Sequence, residues 1–188
     1  MRDGVEAEGG REVAFQIVRT TIHKVDDRAL LTSVLNGEGV YLAPAAILDG
    51  LTPEQAHAKP HGLPHSIAGI VAHMCYWQEW FNECVSTGFT GIAQHAVDGW
   101  PAVPPDGWDA VRTRYQRALQ EAMRIAAESD SLGDPLLPPN VKLPSLAKES
   151  RGSGILQAAL HSGHHLGQII TMRRLMGLWP PPGGTITW

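Results

Sequence analysis

The sequence is poor in cysteine: among its 188 residues, Cys75 and Cys84 are the two thiols. Two cysteines cannot build a disulfide framework or a four-cysteine zinc site. The sequence also lacks an apolar run near the ~20 residues that a transmembrane helix needs. Its polar N-terminus has no apolar segment typical of a secretory signal. We therefore expect no membrane partner, and a protein that works in the reducing cytoplasm.

Basic residues are not in excess either. The chain has 15 Lys and Arg against 19 Asp and Glu, which gives a formal net charge of -4 at pH 7. A mildly acidic chain without a basic cluster argues against nucleic acid as a partner. The phosphate-binding patterns G-x-G-x-x-G and Walker A, the hydrolase pattern G-x-S-x-G and the redox pair C-x-x-C are also absent. None of the functions that depend on these motifs is therefore indicated.

Apolar residues recur at helical spacing in several segments, and strand signals are few. The predicted helices cover residues 28–36, 66–86, 109–129 and 153–176. The connections 91–107 and 130–150 are rich in proline and too long for tight helical hairpins. The sequence therefore predicts an all-α protein, a four-helix bundle with long Pro-rich connections.

Capping residues stand at the ends of the predicted helices. Asp26 or Asp27 can cap the first helix, and Ser66 stands where the N-cap of the second belongs. Residues 1–27 are charged and glycine-rich at their start, and we expect them to form a partly disordered N-terminal extension. Residues 28–188 are then the helical domain.

Three of the nine histidines have a spacing that suits metal binding. His161 and His165 are four residues apart, which puts both rings on one helix face, roughly 5–6 Å apart at Cβ. His164 points about 100° away and cannot join them. His73 is the third candidate, because it stands on an apolar helix stripe where an unpaired polar ring is costly to bury. Three imidazoles can bind one ion at about 2.0–2.1 Å each.

Each of these histidines also has an ordinary structural explanation. A core residue such as His73 is more often hydrogen-bonded than metal-bound, and an isolated pair such as His161 and His165 often holds no ion. The residues alone leave both interpretations open.

The remaining histidines and the cysteines are assigned no chemistry. The histidines expected at the surface are His23, His57 and His95, together with His61 and His65 of a loop that could also line a pocket mouth. Both cysteines are expected in the core.

Several motifs resemble the DinB-like superfamily. They are Leu51-Thr52-Pro53-Glu54, Pro64-His65-Ser66-Ile67, Ala72-His73-Met74, His161-Ser162-Gly163-His164-His165-Leu166-Gly167-Gln168-Ile169, Arg173-Arg174 and Gly177-Leu178-Trp179-Pro180. The middle of the chain, with Gly99-Trp100-Pro101, Pro104-Pro105-Asp106 and Trp108-Asp109, is similar to one uncharacterised branch. The resemblance covers roughly residues 28–182, which is most of the chain.

The resemblance implies a four-helix bundle of the DinB-like type that holds a divalent transition metal through His73, His161 and His165. Zinc and nickel are the ions expected first. Related proteins are often homodimers, and some branches transfer a low-molecular-weight thiol to an electrophile, whereas others are presumed hydrolases. We therefore expect a homodimer that acts on a small molecule, with a low-molecular-weight thiol as one candidate.

Three functional hypotheses stay open at this point. The first is a metal-dependent enzyme of the thiol S-transferase or hydrolase type. The second is a non-catalytic metal-binding or structural bundle, and the third is a bundle without metal. No acidic residue lies within four positions of a candidate ligand on the same helix face, and Glu79 lies further along that face of its helix. The sequence therefore identifies no general base and no catalytic residue. Gln168 could hydrogen-bond a ligand or the substrate, or serve the core.

Overall fold

The computed structural model describes residues 27–38, 42–87, 91–92, 95–141, 143 and 146–184. Within these ranges the chain forms six α-helices and no β-strand. The helices are α1 (Arg28–Asn36), α2 (Pro44–Leu48), α3 (Pro53–His57), α4 (Ile67–Ser86), α5 (Trp108–Glu128) and α6 (Arg151–Leu175). Two short 3₁₀ turns cover Pro60–Gly62 and Ala96–Gly99. The all-α prediction is confirmed, and the predicted extension, except for Asp27, lies outside the described residues.

Four helices, α1, α4, α5 and α6, pack against one another, and the two short helices α2 and α3 are attached to them. The long helix α4 contacts both α5 and α6, and α1 contacts the same two helices. The short helix α2 packs on α6, and α3 packs on α4 and α5. In the part of the chain that the structure describes, no helix is both long and apolar enough to span a membrane.

Two clusters of buried side chains fill the interior, and their members show in which direction each helix runs. The first cluster contains Val85, Ala126 and Ile155. The second contains Ile67, Trp108 and Met172. The start of α4 therefore lies with the start of α5 and the end of α6, so α4 and α5 run parallel and α6 runs antiparallel to both. The connection from α4 to α5 returns the chain along the bundle, as its predicted length requires.

Local capping explains most of the helix ends. The carboxylate of Asp27 accepts a hydrogen bond from the Leu30 amide at 2.9 Å, and Gly37 ends α1 in the left-handed conformation with φ 76°. Ser66 caps α4 as predicted. Helix α6 begins at Arg151 with Ser150 as its N-cap, two residues before the predicted start at residue 153.

A buried arginine ties the end of α6 to two other segments. Arg173 is 2% exposed, and its guanidinium donates hydrogen bonds to the backbone carbonyls of Ile47, Asp49 and Leu178. The bonds to the last two carbonyls measure 2.9 and 3.0 Å. Burial lowers the pKa of this side chain, and the nearby Asp49 charge opposes that shift. A charge in the core is tolerable here because three of its five N–H donors bind carbonyl oxygens.

Candidate metal centre

Three imidazole rings from two helices meet where the two core clusters join. His73 comes from α4, and His161 and His165 come from successive turns of α6. The Nε2 atoms of His73 and His165 each lie 3.1 Å from Nε2 of His161. One nitrogen of each ring lies within 4.8 Å of the other two. The structure thus brings together the three residues that the sequence singled out, and this group could hold a metal ion.

Hydrogen bonds on the far side of two rings set their tautomers. Nδ1 of His73 lies 2.6 Å from the carbonyl oxygen of Gly99, which can only accept, so this nitrogen carries the proton. Nδ1 of His165 lies 2.8 Å from Oε1 of Gln168, whose amide nitrogen lies 3.2 Å from Nε2 of His164. With this amide orientation His165 is also protonated at Nδ1. Both neutral rings therefore present a lone pair at Nε2.

These converging lone pairs fit a cation better than a hydrogen bond. Nε2 of His161 can donate one proton at most, so it cannot satisfy the Nε2 atoms of both His73 and His165. Two nitrogens bound at about 2.0–2.1 Å to one ion would be separated by about 2.9–3.4 Å for bond angles from about 90° to tetrahedral. The observed separation of 3.1 Å falls inside that range. The donor set is therefore suited to a divalent transition metal.

Burial keeps the three rings neutral. Desolvation, and after it the neighbouring imidazoles, lower the pKa of His73 to about 4 and that of His161 to about 3. The bond from His73 to Gly99 opposes its shift. The pKa of His165 is also lowered, mainly by burial, although its bond to Gln168 opposes this. Since neutral imidazole is the form that binds metal, all three rings are ready to do so near pH 7.

Aromatic rings enclose the His73 side of the centre. The indole of Trp100 stacks on His73 with ring centroids 3.8 Å apart and planes 10° apart. His65 stacks on the same indole at 3.8 Å and 13°. Two rings cannot occupy one position over one centroid, so His65 and His73 lie on opposite faces of Trp100. Trp77 meets His73 edge-on at 6.4 Å.

Sequence reasoning missed this aromatic support. Trp100 entered only as part of the family motif, and His65 was assigned to the surface, whereas it is half-buried against the indole. The signal that could have found them is the Gly99-Trp100 pair in a Pro-rich connection, because a glycine lets a turn approach a helix closely.

The acidic residue named by the sequence is engaged elsewhere. Both carboxylate oxygens of Glu79 lie 2.6 Å from the guanidinium of Arg114 on α5. Glu79 is also six residues beyond His73, nearly two helical turns along α4. Among the described residues, the group of candidate ligands at this point consists of the three histidines and includes no carboxylate.

The structure corrects part of the surface assignment of the other histidines. His61 and His95 are exposed as expected. His57 is half-buried, with Nδ1 2.8 Å from a backbone carbonyl of its own helix, because the ring folds back over the first turn of α3. His23 lies outside the described residues.

Gln168 and the two cysteines complete the comparison with the sequence. Gln168 is exposed rather than part of the inward stripe of α6, yet it hydrogen-bonds His165, the first of its two predicted roles. Cys75 and Cys84 are buried as expected. Burial raises the pKa of Cys75 to about 12 and that of Cys84 to about 11, so neither thiol is an activated nucleophile.

Comparison with known proteins adds one finding. A family model described as the DinB superfamily matches residues 44–169, which is more than half of the chain and includes all three histidines of the centre. No curated protein and no solved structure matches the chain.

Proposed function

Because this chain belongs to the DinB superfamily, we propose that it is a metal-dependent enzyme acting on a small molecule. His73, His161 and His165 hold the divalent transition metal, with zinc and nickel as the first candidates. The observation that carries the proposal is the convergence of three ring nitrogens within 4.8 Å of one another, with Nε2 of His73 and of His165 each 3.1 Å from Nε2 of His161, while two of the rings are held in the metal-binding tautomer.

The number of protein ligands favours catalysis over a purely structural ion. Three histidines leave coordination positions open, whereas structural sites are closed by four protein ligands. When bound, such an ion lowers the pKa of a thiol or water that it holds and stabilises the resulting negative charge. The chain's own residues hold the neutral imidazoles in place. The Gly99 carbonyl and the Gln168 side chain accept the Nδ1 protons of His73 and His165, so these protons point away from the three converging nitrogens.

The donor set favours a thiol over water as the group activated. No carboxylate belongs to the group of candidate ligands in the described part of the chain, so the group itself supplies no carboxylate base for water. A free thiol has a pKa of about 8.5 and water one of about 15.7, so a thiol needs far less help to lose its proton. We therefore propose transfer of a low-molecular-weight thiol to an electrophile, with hydrolysis as the runner-up.

The first experiment measures metal content. Protein purified without a histidine tag and analysed by mass spectrometry should carry close to one transition-metal ion per chain. His73→Ala should lose that ion because two imidazoles on one helix bind weakly. His95→Ala, the same change at an exposed histidine, is the matched control and should keep it. Equal, substoichiometric metal in all three proteins would leave a bundle whose histidines are ordinary core groups.

The second experiment tests the reaction. Consumption of a small thiol in the presence of 1-chloro-2,4-dinitrobenzene should depend on the ion and disappear in His73→Ala and after chelation. Ester hydrolysis without thiol consumption would support the hydrolase alternative. Metal binding without either activity would support the non-catalytic bundle. The protein's own thiols are buried and do not interfere with the assay.

The homodimer, the cytoplasmic location and a domain spanning residues 28–188 belong to the same proposal. Light scattering after size-exclusion chromatography tests the dimer. A truncated chain that starts at Arg28 and keeps its metal tests the domain boundary.

A further inference from the structure

We infer that Trp100 is a positioning residue for His73, acting with the carbonyl of Gly99 to aim Nε2 of His73 at the other two histidines. The inference rests on the proposed metal-binding function. It concerns a residue outside every helix, 27 positions from the ring that it supports.

The stack fixes the plane of the His73 ring. The indole lies 3.8 Å from the imidazole with only 10° between their planes. A ring held face to face at van der Waals distance cannot tilt toward the indole. It would leave an open gap if it tilted away, and such a gap forfeits dispersion energy. The stack therefore removes one rotational freedom of the side chain.

The hydrogen bond fixes the direction of the ring within that plane. Nδ1 of His73 donates to the Gly99 carbonyl at 2.6 Å, so a half-turn of the ring would exchange this bond for a carbon contact. The stack and the bond act on different motions, and together they define the direction of the Nε2 lone pair. A single short segment, Gly99-Trp100, supplies both constraints.

This segment is itself held firmly. A Cβ atom on Gly99 would lie 3.1 Å from Nε1 of Trp77, so the turn packs directly on α4, the helix that carries His73. The amide of Trp100 donates to the carbonyl of Val97 at 3.0 Å. His65, just before the N-cap of α4, covers the other face of the indole. The indole is thus clamped between two histidines of one chain segment.

The support of His165 is different in kind. Its Nδ1 bonds the exposed side chain of Gln168, and its ring meets Trp100 at 6.0 Å and His164 at 5.1 Å edge-on rather than stacked. His73 is held by backbone and by an aromatic clamp, so it is the fixed reference of the three. Loss of Trp100 should therefore lower metal affinity by releasing the orientation of His73.

The test compares two replacements of Trp100 in the full chain by titration with Co²⁺, whose visible spectrum reports ligand geometry. Trp100→Phe keeps a stacking ring, and Trp100→Leu keeps apolar volume without one. We expect Trp100→Leu to bind Co²⁺ 10- to 100-fold more weakly, as for other outer-shell supports, and with an altered spectrum. Trp100→Phe should stay within a few-fold of the wild type.

Trp179→Leu, at a partly buried tryptophan that packs on arginine, is the matched control and should bind normally. A second readout needs no metal: ¹⁵N shifts should show His73 protonated at Nδ1 in the wild type and in Trp100→Phe, and a tautomer mixture in Trp100→Leu. Unchanged Co²⁺ affinity and an unchanged His73 tautomer in Trp100→Leu would overturn the inference. A wild type that binds no Co²⁺ would refute the proposed function instead. In that case the His73 tautomer in Trp100→Leu would still show whether Trp100 orients the ring.

Discussion

The buried guanidinium of Arg173 offers a sharp test of how the fold is held together. Arg173→Met keeps an unbranched, flexible apolar stem but removes every donor. The carbonyls of Ile47, Asp49 and Leu178 then lose their partner. The bond to Ile47 is buried, whereas the bonds to Asp49 and Leu178 are partly buried, so water can replace the guanidinium there. A buried acceptor left unsatisfied costs about 1–3 kcal/mol, and relief of the desolvated charge offsets part of that cost. We expect the free energy of unfolding to fall by about 1–3 kcal/mol.

Urea unfolding followed by far-UV circular dichroism measures this loss, provided that the slope with urea stays the same in both proteins. Arg117→Met makes the same chemical change on the exposed face of α5, and its effect should stay within about 0.5 kcal/mol. The reasoning fails if Arg173→Met loses no more than the control. The three hydrogen bonds of the guanidinium to carbonyls outside α6 would then contribute nothing to stability.

Further predictions concern the metal centre and the thiols. Gln168→Ala should weaken Co²⁺ binding about 10- to 100-fold, because Nδ1 of His165 loses its acceptor, and Gln168→Glu should restore it in the same titration. Ellman's reagent at pH 8 should label both cysteines only after unfolding, since both thiols are buried and have raised pKa values; rapid labelling of the folded protein would contradict this. The metal-free protein should lose stability as the pH falls from about 6.5, the ordinary histidine pKa, toward 4. In that window the unfolded chain takes up protons that His73 and His161 refuse, their folded pKa values being about 4 and 3. Chemical unfolding at several pH values measures this, and the free energy of unfolding should depend less steeply on pH in His161→Gln than in the wild type. An equally steep dependence in both proteins would contradict the effect of burial on the His161 pKa.

The parts of the fold that sequence could predict are those governed by near neighbours. Helix α1 begins and ends at the predicted residues, because Asp27 and Gly37 are capping signals that act within one turn. His161 and His165 fall on one face for a similar reason, since helical spacing alone sets their separation. His73 is the third candidate because it lies on the apolar stripe of α4.

The start of α6 shows where local reading fails. The predicted start is residue 153, whereas Ser150 caps the helix and Gly152 is already helical although glycine disfavours helices. Gly154 is helical too, and a Cβ there would lie 2.9 Å from the Leu136 side chain. Packing against the preceding connection therefore requires a small residue inside the helix. Such a requirement depends on a partner 18 positions away and leaves no local trace.

The aromatic clamp was unpredictable for the same reason. Trp100 meets His73 and His65 across gaps of 27 and 35 positions, and its segment carries neither helical nor strand periodicity. Periodicity can place residues on a face of an element, but it says nothing of which loop covers that face. The grouping of the three histidines could be predicted from such faces, and the rings and carbonyl around them could not.

The parallel course of α4 and α5 has a consequence for the speed of folding. The Asn82 side chain donates to the Ala118 carbonyl at 2.7 Å, a contact between residues 36 positions apart. Neighbouring helices joined by a short hairpin close much smaller loops. Since the entropy of closing a loop must be lost before its contacts form, such distant pairing slows the search for the native state. This chain should therefore reach its native state more slowly than an up-and-down bundle of equal length.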